Sequence, residues 1–173
     1  MSRSLPPFRA DHVGSLLRPP ELHAARDDFA AGRIDAVALR AVEDEAIASI
    51  VAMQRDVGLQ DATDGEFRRA TWHMDFINQI GGIGRAPGNL QVRFHNAQGD
   101  IAWTPAAIHV DSKLRMDKTI FGEHFEYLKS LTGGLVPKLT IPSPNMVHYR
   151  GGPAAIDPAV YPDIEQFWHD LAA

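Results

Sequence analysis

The chain has 173 residues, with 17 Lys and Arg against 22 Asp and Glu, for a formal net charge of −5. That acidic balance argues against a nucleic-acid binder, which carries a basic face. A composition of 45% hydrophobic and 23% charged residues argues against a disordered chain. The length suits one domain. No apolar run approaches the roughly 20 residues of a membrane span, and Met1–Pro7 has no signal-peptide core, so the cytoplasm is the expected compartment. The absence of cysteine excludes disulfides, cysteine nucleophiles and any thiolate-ligated metal site built from this chain alone.

Taken in order, the stretch from Phe8 to Pro20 reads as a short strand running into a loop, with Pro19 and Pro20 blocking further regular structure. From Asp35 to Val57 the pattern is helical. Leu39, Val42, Ala46, Ile50, Met53 and Val57 recur at spacings of three and four and predict one buried stripe, with Asp35 as the N-terminal cap and Gly58 closing the C-terminus. Leu59–Glu66 is expected to be a strand breaking at Asp64-Gly65, followed by a helix over Phe67–Ile80. Gly81–Gly84 and Ala86–Asn89 read as turns, and Leu90–Phe94 with Ile101–Trp103 as an antiparallel hairpin. Phe121–Leu131 predicts a helix closed by Gly133-Gly134, and Leu135–Ile141 a strand ending in Pro142-Ser143-Pro144. Ile164, Phe167, Trp168 and Leu171 predict a last helix, in which the chain stops. This is an α/β rhythm with three strand-to-loop junctions and a hairpin insertion, short of the roughly 250 residues of a complete eight-fold barrel.

Two polar clusters fall at strand ends, the edge where parallel α/β folds bind ligands. His12-Val13-Gly14-Ser15 offers an imidazole, a flexible backbone position and a hydroxyl, suited to a small anion or amino acid, or else to satisfying loop backbone groups. In Asp64-Gly65-Glu66, followed by Arg68, Arg69 and Trp72, two carboxylates can hold an ammonium group or serve as acid and base, and the arginines can receive a carboxylate. The plainer alternative is a turn with a favourably charged helix start and solvated arginines. Thr140 and Ser143, at a third strand end, could line the same cleft. No histidine pair has H-x-H or H-E-x-x-H spacing, which disfavours a self-contained zinc hydrolase.

Considered together, Phe8–Pro19 (FRADHVGSLLRP), Thr63–Arg69 (TDGEFRR) with Trp72 and Phe76, and Lys138–Pro144 (KLTIPSP) with Arg150-Gly151-Gly152 resemble the cobalamin-independent methionine synthase family, particularly its short single-barrel bacterial members. Glu43-Asp44 and Gln54 on the preceding helix agree. The resemblance implies a (β/α)8 barrel, of which residues 1–173 would be the N-terminal portion: three βα units and the hairpin insertion, ending in the helix before the fourth strand. It implies methyl transfer from a methylated folate, 5-methyltetrahydrofolate polyglutamate, to the thiol of homocysteine, activated by zinc. Gly14 and Ser15 match the loop that holds the amino-acid end of homocysteine, and Glu66 the carboxylate that contacts its ammonium group. His12 and Asp64 stand beside them, and Thr140 and Ser143 match the loop toward the folate. The family's zinc ligands, a histidine and cysteines with a carboxylate, belong to the second half of the barrel and are absent from this chain. The isolated chain is therefore expected to be inactive, and a homodimer or a complementary C-terminal half would be the partners suited to cover its open edge. Zinc-dependent alkyl transfer to another thiol, or a non-catalytic assembly module, are the alternatives.

Overall fold

A computed structural model of the protein describes residues 12–86, 92–97, 99–104, 107–149 and 151–173. In chain order the elements are α1 (Pro20–Ala30), α2 (Ala36–Asp56), β1 (Asp61–Ala62), α3 (Met74–Ile77), β2 (Gly81–Ala86), β3 (Val92–Asn96), β4 (Gly99–Trp103), β5 (Ala107–Arg115), α4 (Gly122–Thr132), β6 (Val136–Pro137), α5 (Met146–Tyr149) and α6 (Ile164–Ala172). They fall into two compact units, one drawn from the chain up to Trp72 with Phe121–Thr140, the other from His73–Ile120 with Ile141–Ala173. No helix among the described residues is long and apolar enough to cross a membrane.

In the first unit, Pro19 and Pro20 start a helix instead of blocking one. Pro20 stands at the first helical position, where an N–H would have no partner in any case. Helix α2 is capped as its sequence predicts, Asp35 Oδ1 accepting from Ala38 N at 2.8 Å. Gly58, at φ +86°, and Leu59 close the other end by donating to Arg55 O and Gln54 O. The buried face of α2 is displaced from the predicted stripe. It carries Glu43, Ile47, Val51 and Gln54, whereas Met53 is 42% and Val57 66% exposed. Two polar residues occupy that face because each has a partner inside the unit, which a hydropathy pattern does not register. Leu22, Ile47, Val51, Ala62, Phe67 and Leu128 form the apolar core.

Strand β1 pairs in parallel with β6, Asp61 opposite Val136. Val136 N donates to Gln60 O and Lys138 N to Ala62 O, each at 2.9 Å. Of the predicted strand over 135–141, only Val136 and Pro137 form a ladder among the described residues, with Leu135 in an isolated bridge to Gly133. The strand expected from Phe8 begins outside the described residues, and 12–19 contain none.

The second unit holds the antiparallel pair β2–β5 and the hairpin β3–β4. The hairpin matches expectation from Val92 onward, with Asn96 opposite Gly99; Leu90 and Gln91 lie outside the described residues. Gly81–Gly84, expected as a turn, is strand instead. Gly82, at φ +90°, sits at a register shift where a Cβ would meet Lys113 O at 2.5 Å, so the glycines permit close strand approach. Phe67–Ile80 yields only the four-residue α3, for reasons that lie in the turn described below. The last helix is as predicted, with Asp163 capping α6 and Phe167 fully buried. Met74, Ile77, Ile108, Val110, Leu114, Val147, Ile156, Tyr161 and Phe167 form this unit's core.

Candidate functional site

The C-terminal ends of β1 and β6 lie side by side in the first unit, and the segment 12–16 is laced to both. Thr63 Oγ1 donates to Gly14 O at 2.7 Å, Thr140 Oγ1 to Val13 O at 2.6 Å, and Lys138 Nζ to His12 O. Leu16 N donates to Gly65 O at 3.1 Å. His12, Gly14, Ser15, Asp64, Glu66 and Thr140 are thereby brought into one unit. Ser143 belongs to the other, where its carbonyl accepts Met146 N and the residue borders an apolar cavity of about 180 Å3 with Phe76, Val147 and Leu171.

Gly14 is buried at φ +127°, and a Cβ there would stand 2.2 Å from Thr140 Oγ1. Only glycine lets the backbone approach the Thr140 side chain this closely. Ser15 is exposed beside it. Both ring nitrogens of His12 are buried with no hydrogen-bond partner among the described residues.

The turn after β1 is built around Glu66. Asp64 Oδ1 accepts from Glu66 N at 2.9 Å, so this carboxylate organises the turn. Glu66 has a left-handed backbone, φ +58°, uncommon for a residue with a Cβ and a mark of constrained sites. Arg18 Nη2 donates to Glu66 O and to Arg69 O, each at 2.9 Å; Arg26 donates to Phe67 O and, at 3.0 Å, to Arg69 O. These carbonyls, which a continuing helix would offer to its next turn, are taken by guanidinium groups from the α1 region. The predicted helix therefore does not propagate from Phe67.

Glu66 is 3% exposed, and among the described residues its carboxylate has one ion-pair partner, Arg69 Nη1 at 3.5 Å. Burial pushes its carboxyl pKa above the ordinary value of 4.5, with repulsion from Asp64 adding to it and attraction from Arg69 and Arg18 opposing it. Arg69, 2% exposed, packs over the Phe121 ring at 4.5 Å and has no hydrogen-bond partner at Nε or Nη1 among the described residues. The side chain of Arg68 is also enclosed, 2% exposed, and is not a solvated surface group. It pairs with Asp44, reaches Glu43 Oε2 at 3.7 Å and stacks over Tyr127, whose hydroxyl donates to Asp44 O at 3.0 Å. Beside them, burial and then repulsion from Arg68, Arg40 and Arg69 lower the pKa of His124, which is stacked on Phe121.

Sequence reasoning about the clusters passes over Arg26, and reaches Arg18, Thr63 and Gln54 only within the stretches that carry the family resemblance. Gln54, 1% exposed, donates through Nε2 to Thr63 O at 2.9 Å and accepts Thr63 N at 3.0 Å, pairing with the strand end as a neighbouring strand would. A glutamine amid the apolar spacing of a helix is the available signal. Among the described residues no three His, Asp or Glu side chains gather as a metal-binding set. The arrangement offers a buried carboxyl on a braced turn and an exposed serine hydroxyl on the loop laced to it, groups of the kind that can take the two ends of a small zwitterion.

No family model matches the chain. Two uncharacterized Bacillus subtilis proteins, YxjH and YxjG, are 40% identical over 166 residues and 39% identical over 173. These matches take in 96% and 99% of this chain but 42% and 44% of those proteins, so the chain spans less than half the length of the curated relatives it matches. Among solved structures, a Listeria monocytogenes protein provisionally assigned as a vitamin-B12 independent methionine synthase is similar with a TM-score of 0.75 at 38% identity, over 96% of this chain and 45% of that one. A B12-independent methionine synthase from Shewanella sp. W3-18-1, in complex with selenomethionine, shares the fold at a TM-score of 0.56 and 18% identity, over 80% of this chain and 37% of its own. The chain thus has an α/β fold similar to methionine synthase-type structures.

Proposed function

We propose that these residues form the amino-acid-binding wall of a B12-independent methionine synthase-type (β/α)8 barrel, contributing its first three βα units and a hairpin insertion. The whole barrel would transfer a methyl group from a methylated folate to the homocysteine thiol. The observation that carries this reading is the lacing of His12–Leu16 to the Glu66 turn and to Thr140. It gathers, in one unit, the motifs that resemble the family's homocysteine-binding loops, and the 38% identity to the Listeria structure supports it.

Glu66 would receive the ammonium group, and Ser15 with the Gly14 backbone the carboxylate of the amino acid. A charge-assisted contact of this kind contributes about 1.5–3 kcal/mol. In NMR titrations of the 173-residue chain with homocysteine, Glu66→Gln should weaken binding about tenfold or more. The amine-free analogue 4-mercaptobutyrate should bind the wild type no better than it binds the variant. Equal homocysteine affinity in wild type and Glu66→Gln would remove the basis of the proposal.

Glu66→Gln carries a second expectation. Because the folded pKa is raised, the native state holds more protons than the unfolded chain over the interval upward from 4.5 to the folded pKa. The wild type therefore loses stability as pH rises through that interval. The glutamine variant should be the more stable protein at neutral pH and should show a smaller decline, measured by urea midpoints across the range.

Zinc, when bound in such a barrel, would hold the acceptor sulfur as thiolate. These 173 residues do not fit that centre, having no cysteine and no gathered His, Asp or Glu set among the described residues. Thiol activation is not assigned to them. Equilibrium dialysis of the purified chain should find far less than one tightly bound zinc per chain, and no methionine should form from homocysteine and methylated folate. One zinc per chain with turnover would overturn that expectation.

A further inference from the structure

Glu66 would be a poor ammonium receptor if it stood alone. Burial without a partner favours the neutral acid, and a neutral carboxyl, which keeps only a carbonyl acceptor and no charge, holds an ammonium group far more weakly than a carboxylate does. The turn supplies a partner in Arg69, which has little freedom to move. Its backbone carbonyl is held by both Arg18 and Arg26, and its guanidinium lies over the Phe121 ring at 4.5 Å, the residue being 2% exposed. The Nη1–Oε1 separation of 3.5 Å is that of an ion pair without a hydrogen bond. The Arg69 charge therefore acts on the Glu66 carboxylate without occupying its acceptor sites, which stay available to a ligand's N–H groups.

We propose that Arg69 is the positioning residue of the amino-acid site, keeping the Glu66 carboxylate anionic and in place so that the site selects ligands carrying an ammonium group. This rests on the reading of Glu66 as the ammonium receptor. The charged groups that bear on Glu66 are Arg69 and Asp64 on its own turn and Arg18 before α1, while His124 of α4 and Arg26 of α1 bear on Arg69. Asp64 and burial push the carboxyl toward its neutral form, and Arg69 is the largest of the opposing influences.

The test reads the ionisation of Glu66 without a ligand. The chain is labelled with glutamate carrying 13C at its side-chain carboxyl, the Glu66 resonance is assigned by its loss in Glu66→Gln, and the midpoint is followed with pH. Wild-type Glu66 should titrate above 4.5 and be ionised at neutral pH. Arg69→Gln should raise the midpoint by about one unit or more, whereas Arg69→Lys, which keeps the charge, should recover most of the wild-type value. In homocysteine titrations, Arg69→Gln should also narrow the preference for homocysteine over 4-mercaptobutyrate. An unchanged midpoint in Arg69→Gln overturns the proposal. So does a wild-type Glu66 still protonated at pH 7, a result that needs no variant to fold. Failure of homocysteine to bind at all would count against the functional reading while leaving the titration result intact.

Discussion

Replacing Gln54 with leucine should destabilise the first unit by about 2–4 kcal/mol, seen as a fall in urea midpoint at unchanged slope. Leucine matches the shape of the side chain closely enough that little packing is lost. What is lost is the pair of hydrogen bonds that clasp the Thr63 backbone, one through its carbonyl and one through its N–H, in a site where Gln54 is 1% and Thr63 1% exposed. Both backbone groups would be left buried and unpaired, each at about 1–3 kcal/mol. The Gln54→Glu variant separates this mechanism from a packing defect. The introduced carboxylate would still accept from Thr63 N, but its second oxygen would face Thr63 O, setting acceptor against acceptor. Gln54→Glu should therefore be unstable at neutral pH and regain stability on acidification, when the carboxyl can donate. A leucine variant within about 0.5 kcal/mol of wild type would show that Thr63 finds other partners.

Gly14→Ala should have the second large effect. At φ +127° an L side chain is strained by about 1–3 kcal/mol, and the new Cβ would press into Thr140 Oγ1 from 2.2 Å. Thr140 must swing away, which breaks its bond to Val13 O and loosens the segment that places Ser15. Both stability and homocysteine binding should fall. The double variant Gly14→Ala with Thr140→Ala should recover the part of the loss due to the clash and none of the backbone strain, so a double-mutant cycle apportions the two. Full recovery in the double variant would mean that the backbone bears no strain at position 14.

The parts of the fold that are legible in the sequence are those decided locally. Helix α2 announces itself through Asp35 at one end and Gly58 at the other, α4 through Gly133, and α6 through Asp163 and the spacing of Phe167. The parts that are not legible are decided by partners far along the chain. Phe67–Ile80 has helical composition, yet the carbonyls at its start are claimed by Arg18 and Arg26. The buried face of α2 lies one position away from its apolar stripe because Glu43 and Gln54 have buried partners that offset their polarity. Gly81 and Gly82 read as a turn because the crowding that requires them comes from Lys113 and Arg115 on another strand. For the candidate site, strand-end position and residue chemistry single out Gly14, Asp64 and Glu66, which the structure gathers in one unit. Arg18 and Arg26, which hold the carbonyls of that turn, are not recognisable, because arginine has no positional signature comparable to a cap or a turn residue.

The lacing of the first loop bears on the order in which the protein can assemble. His12 and Val13 are held by Lys138 and Thr140, 126 and 127 residues later in the chain. Among the described strands β1 pairs only with β6, so β1 and the segment before α1 gain these partners only once the residues through Thr140 have been synthesised. Closure of such distant contacts makes folding slow relative to a bundle of neighbouring helices. On the ribosome, helices α1 and α2 can form and dock early, but the Glu66 wall completes only after Thr140 has emerged.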